Sequence, residues 1–104
     1  MANPHRGEVE IKAGEKAYTL VFTINAICDV EEETGADLLA DLTRLSKVRL
    51  MLYAGLRTRH PEISRADAGA IIETIGVDVV QQAIVKALEI AFPKKPGKVA
   101  GNPQ

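Results

Sequence analysis

The sequence is poor in the residues that chemistry most often needs. It has one cysteine, Cys28, so no disulfide can close within the chain and no cysteine-based metal site can form. It has no tryptophan, and its two Tyr and two Phe make aromatics only 4% of the residues, so the core must be aliphatic. The two histidines lack metal-ligand spacing. His5 sits near the start and His60 stands before Pro61, so both read as ordinary surface or helix-end histidines. Formal net charge is -1, which removes any global electrostatic case for nucleic acid. No apolar run approaches the roughly 18 residues that span a bilayer. The opening MANPHRGEVE is polar and does not read as a signal peptide. No glycine-rich phosphate loop is present, because Gly7, Gly14 and Gly35 fall at a strand edge, a turn and a helix end.

What is present is one domain's worth of chain. The 104 residues with 46% hydrophobic content fit a single globular core. Residues 1–6 read as a flexible leader, 7–92 as one α+β domain, and 93–104, PKKPGKVAGNPQ, as a flexible basic tail. Charge alternates along the chain: net -4 over 1–34, +3 over 35–60, -3 over 61–92 and +3 over 93–104. Such polarity suits self-association or a charged protein partner, and equally a set of solvated faces.

The stretch from Gly7 to Gly35 organises the rest. Val9, Ile11 and Ala13 alternate with Glu8, Glu10 and Lys12, the period of a half-buried strand. After a turn at Gly14, Tyr18, Leu20 and Phe22 alternate with Thr19, Val21 and Thr23. The pattern predicts a β-hairpin, Glu8–Ala13 and Ala17–Thr23, whose apolar face needs a helical floor. Asn25 is placed to cap a first helix that stops at Gly35, with Ile24, Ile27 and Val30 on one side. Cys28, near the edge of that side, reads as a buried structural thiol. The fold class is therefore α+β: an N-terminal β-hairpin packed on a small bundle of four to five α-helices.

The other helices follow from their stripes and caps. Asp37 is placed to cap a short helix, ADLLADL. Ser46 is placed to cap the next, about Lys47 to His60, which is apolar nearly all round and so should be central. Ser64 and Asp67 form a capping-box pattern before Ala68, Ile71, Ile72 and Ile75. Asp78 is placed to cap a last helix whose polar arc, Gln82, Lys86 and Glu89, is narrow. Its extra apolar flank, Val79, Ala83 and Ile90, is either a partner site or is covered by the hairpin or the Leu38–Leu42 helix.

No paired acid, base or nucleophile points to an enzyme. Asp29, Glu32 and Glu33 share a helical neighbourhood, yet no Glu-x-x-His accompanies them, so an ion-paired or solvated face is the better reading. Ser64–Leu88 superficially resembles a helix-turn-helix. Its second helix offers one lysine and no arginine, too few cations for phosphate contacts.

The order of several motifs resembles a family. RGEVEI, then YTLVFTINAICDVEEETG, then LYAGLR, ISRADAGAIIETIG and AIVKALEIAF are similar to the tail assembly chaperones of gene transfer agents and long-tailed phages, sometimes labelled tail tube proteins. The resemblance covers about residues 6–92. It implies a non-enzymatic factor without cofactor or metal, working in the bacterial cytoplasm during particle assembly. It implies binding to the tape measure protein and assistance to the tail tube protein's polymerisation; charge and hydropathy, read above, give no expectation of nucleic-acid or membrane binding. The alternative is a structural tube or adaptor subunit retained in the particle, although a tube subunit should be mostly strand. On this reading Val79, Ala83 and Ile90 are the expected client face. A homo-oligomer is also possible on charge grounds, through Glu31, Glu32 and Glu33 of one copy and Arg44, Arg49, Arg57 and Arg59 of the next.

Overall fold

A computed structural model describes residues 7–93. The leader at 1–6 and the tail from Lys94 onward lie outside the described residues. Strand β1 (Glu8–Ala13) pairs antiparallel with β2 (Lys16–Val21), from Glu8 opposite Val21 to Ala13 opposite Lys16. The connection is Gly14–Glu15, and Gly14 takes φ +65°. A two-residue hairpin turn wants that left-handed conformation, which glycine supplies without strain. Four helices follow, α1 (Ile24–Thr34), α2 (Leu45–Leu56), α3 (Arg65–Ile75) and α4 (Val77–Ala91). The fold is α+β.

The second strand ends two residues before the predicted Thr23, because Thr23 is committed to a cap. Its Oγ1 accepts the Ala26 amide at 3.0 Å, so Thr23 and not Asn25 opens α1. Gly35 closes α1 in the left-handed conformation, φ +74°, with its amide on the Glu31 carbonyl at 2.7 Å. Ile27 and Val30 are buried as expected. Ile24 is 65% exposed, because it stands in the first turn before the helix meets its neighbours. Cys28 is exposed too, which corrects the expectation of a buried thiol. One residue beyond Ile27 turns the side chain about 100° off the buried stripe.

The expected helix over ADLLADL does not form. The 37–44 segment makes two successive turns, Ala40 amide to Asp37 carbonyl and Arg44 amide to Asp41 carbonyl, with Asp41 at φ +54°. So short a helix costs more to nucleate than its few hydrogen bonds return. Lys47 supplies an alternative: its ammonium donates to the Asp37 carbonyl and, at 2.6 Å, to that of Ala40. Leu38 is fully buried as the anchor of this segment.

Helix α2 is the central element. Val48, Leu50, Met51, Leu52, Ala54, Gly55 and Leu56 are all buried on it, as its all-round apolarity predicts. It begins at Leu45 with Arg44 at the cap position and no side-chain cap bond, so Ser46 lies inside the first turn and does not cap. It ends at Leu56, short of the predicted His60.

The capping box of α3 is present in full. The Ser64 hydroxyl accepts the Asp67 amide and the Asp67 carboxylate accepts the Ser64 amide, each at 3.0 Å. Ser64→Ala is expected to cost about 1 kcal/mol, lowering the midpoint of a circular-dichroism melt by roughly 4–8 °C. An unchanged melt would mean that the box contributes nothing. Gly76 (φ +97°) then turns the chain through 115° into α4. Gly76 is itself the residue before α4, so Asp78 falls in the first turn, where its charge suits the helix dipole, and does not cap.

Candidate partner surface

Helix α4 buries Val80, Ile84 and Ala87 against α2 and the hairpin. The predicted client face is divided by this packing. Val79 is 52% exposed, whereas Ala83 and Ile90 are half-buried. Ile90 stands over the start of the hairpin: a Cβ on Gly7 would lie 3.8 Å from its Cγ2 and 3.9 Å from Val21 Cγ2. Ile90 therefore belongs to the seam between α4 and the hairpin, while Val79 is left open.

The open apolar surface lies on the other flank of the same helix. Val85 and Phe92, seven residues apart on one stripe, are 47% and 40% exposed, and Leu39 opposite them is 57% exposed. Two depressions run along this flank. One of about 220 Å³ is lined by Leu42, Thr43, Val48, Gln81, Ile84 and Val85. The next, of about 510 Å³, is lined by Leu39, Leu88, Glu89, Phe92 and Pro93. The groove exists because the 37–44 segment is not a helix. Leu38 and Leu42 reach inward, Leu39 is left out, and Gln81 Nε2 reaches the Leu42 carbonyl at 3.4 Å. The sequence signal was the narrow polar arc, which indicates excess apolar surface but not which flank stays bare.

The charged residues proposed for pairing between copies are partly used within the chain. Arg57 meets Glu33 through two parallel bonds, Nη1 to Oε1 at 3.2 Å and Nη2 to Oε2 at 3.3 Å, and its guanidinium stands 5.2 Å from the Tyr53 ring centroid. The Glu33 hydrogen bond holds the Arg57 guanidinium above its ordinary value. A raised value in the folded state means that Arg57's share of stability is lost only in strong alkali, so it stays constant across neutral pH. Arg59 pairs with Glu8, a carboxylate buried at the start of β1. Glu31 Oε2 accepts the Leu38 amide at 3.1 Å. Glu32, Arg44 and Arg49 are exposed and make no ion pair among the described residues.

His60 is not an ordinary helix-end histidine. Its Nε2 accepts the Thr19 amide at 3.0 Å, and its ring meets Tyr18 edge-on at 5.3 Å, so it ties β2 to the turn that follows the central helix. A lone histidine 41 residues from its partner gives no sequence signal. The pair borders a cleft of about 600 Å³ that also takes in Lys16, Glu62, Asp67 and Thr74. In that cleft the Asp67 carboxylate is engaged by the α3 cap and His60 Nε2 by the Thr19 amide. Among the described residues no three His, Cys, Asp or Glu side chains could together hold a metal ion. Asp78, Gln82, Lys86 and Glu89 on the outer side of α4 offer one cation against two acids, a poor phosphate surface. No single helix among the described residues is long and apolar enough to cross a membrane.

Comparison of the chain with family models, curated proteins and solved structures finds no match. The functional reading therefore rests on the surface and the motif order.

Proposed function

We propose that this chain is a non-enzymatic tail assembly chaperone of a gene transfer agent or long-tailed phage, which holds the tape measure protein and assists tail tube polymerisation in the bacterial cytoplasm. The observation that carries the reading is the open apolar groove along α4. From Gln81 to Phe92 it runs about 16 Å, or about three helical turns. A groove of that length accepts the apolar face of an amphipathic helix, the mode by which a helical client is kept soluble. The secondary structure favours this role over a tube subunit, since two six-residue strands accompany four helices.

The test is co-expression of the tagged chain with the neighbouring reading frames. A long helical protein should be recovered, soluble only in the presence of this chain. Val85→Glu with Phe92→Glu should abolish recovery while the circular-dichroism spectrum is unchanged. Val79→Glu should have a smaller effect, since Val79 stands apart from the groove. Retained recovery with the double variant would remove the groove from the mechanism. Detection of the chain in finished particles by mass spectrometry would move the assignment to a structural tail component.

A further inference from the structure

The sheet has two outer edges, and the fold treats them differently. The two-residue turn makes Ala13 and Lys16 a pair that bonds within the hairpin, and bonded and unbonded pairs then alternate along the ladder. Ala13–Lys16, Ile11–Tyr18 and Val9–Leu20 bond inward. Lys12–Ala17 and Glu10–Thr19 turn their amides and carbonyls outward. The Thr19 amide bears this out, since it leaves the sheet to reach His60 Nε2 at 3.0 Å. The edge of β2 is thus stopped by a side chain. The edge of β1 is not: among the described residues, nothing bonds the outward amide or carbonyl of Glu10 or Lys12.

A bare edge is a template for another strand, and the residues of β1 decide which strand fits. Val9, Ile11 and Ala13 form its inner row on the helices, and Val9 and Ala13 are only half-buried. Glu10 and Lys12 form its outer row, both exposed and in no ion pair among the described residues. Thr19 and Ala17, which stand opposite them on β2, carry no charge. Glu8, the other acid on that row, is taken by Arg59. Two copies of this edge related by a two-fold axis run antiparallel. The axis must fall on a residue, because a half-step puts one copy's apolar row on the wrong face. An axis on Val9 sets Glu8 against Glu10. An axis on Glu10 or on Lys12 sets that charge against itself. An axis on Ile11 sets Glu10 opposite Lys12, twice, and sets Val9 opposite Ala13 on the inner face.

We propose that β1 pairs with β1 of a second copy about an axis at Ile11, giving a four-stranded antiparallel sheet ordered β2–β1–β1–β2. The Glu10 amide donates to the Lys12 carbonyl of the other copy, the Lys12 amide to its Glu10 carbonyl, and symmetry makes each bond twice. The Glu10 and Lys12 side chains then meet across the seam as opposite charges, the arrangement that stabilises neighbouring strands. The hairpin gains from the pairing, because two strands alone make a marginal sheet. The contact is isologous, and His60 stops the outer edges, so assembly closes at the dimer. One pair of short strands is less than a standard interface of about 800 Å² per partner, so the association is weak and reversible. No residue of β1 lines the α4 groove, and the pairing does not rest on the client reading.

The test is sedimentation velocity on the full chain alone, over a concentration series up to about 1 mM, the weakest affinity of interest. Wild-type chain should pass from monomer to dimer and no further. Glu10→Lys and Lys12→Glu should each weaken the dimer by about 10-fold or more, because two attractive cross-strand pairs become repulsive. Mixed together, the two variants should dimerise again, since each changed charge meets its opposite in the other chain. Glu10→Pro should abolish dimerisation. It removes the outward amide, and it spares the bonds to β2, in which that amide takes no part. A circular-dichroism melt shows which variants are folded, and the charge variants decide the matter if the proline variant is not. A monomeric wild type, assembly beyond the dimer, a folded Glu10→Pro that dimerises like wild type, or a mixture no better than its components overturns the proposal. The edge would then be left to an extended segment of an unlike partner. Because no client is present, failure here leaves the chaperone reading untouched.

Discussion

Gly55→Ala is expected to destabilise the domain by about 1–3 kcal/mol, although replacing a mid-helix glycine by alanine ordinarily gains about 1 kcal/mol. Gly55 lies in the C-terminal half of α2, where the hairpin crosses it. A Cβ there would stand 2.3 Å from Leu20 Cδ1 and 2.9 Å from two ring carbons of Phe22. A leucine tip on a surface would swing away at little cost. Leu20 is 0% exposed and Phe22 3%, so neither has solvent to move into, and the strain must pass to the strand or to the helix. Packing therefore outweighs propensity here. Gly55→Val adds two more carbons at the same point and should fall at the upper end of that range, a large share of the about 5–15 kcal/mol that holds a domain of this size together. Urea unfolding decides the matter. The midpoint of Gly55→Ala should fall with its slope unchanged, and a raised midpoint would mean that the hairpin is not seated on this residue.

Gly55 also marks where sequence reasoning stops. In LYAGLR it stands among residues that all read as core, and nothing local says that a strand lies against it. Features fixed by short-range bonds were legible. The hairpin followed from alternation and Gly14, Gly35 from its place after the apolar stripe, and the Ser64–Asp67 box from a three-residue spacing. The central place of α2 followed from apolarity all round. Features fixed by distant partners were not legible. The 37–44 segment is held by Lys47 and Gln81, and the sequence offers no sign that Lys47 would turn back to its carbonyls. Without that knowledge ADLLADL reads as a helix, and the exposed Val85 and Phe92 of α4 are not singled out. A helical wheel ranks Val79, Ala83 and Ile90 as excess apolar surface, but only the position of Gly7 shows that Ile90 is covered. Likewise His60 reads as a helix-end residue until Thr19 is seen to donate to it, and Cys28 as buried until the packing leaves its side of α1 bare.

The largest single loss is expected from Leu20→Ala, about 3–5 kcal/mol, at the upper end of leucine truncations. Leu20 is wholly buried on β2 and meets α2 at Gly55, where the glycine leaves no side chain to slide into the vacated space. Its neighbour Phe22 is a stiff ring and cannot collapse into the hole either. The two predictions on this seat are coupled, and the coupling is the sharper test. In the Leu20→Ala background the added Cβ of Gly55→Ala meets a cavity and no longer a clash, so the second change should become neutral or stabilising. The double variant should then exceed the additive expectation by about 1 kcal/mol or more, well above the roughly 0.3–0.5 kcal/mol scatter of independent sites. Additivity within that scatter would mean that strand and helix do not meet here.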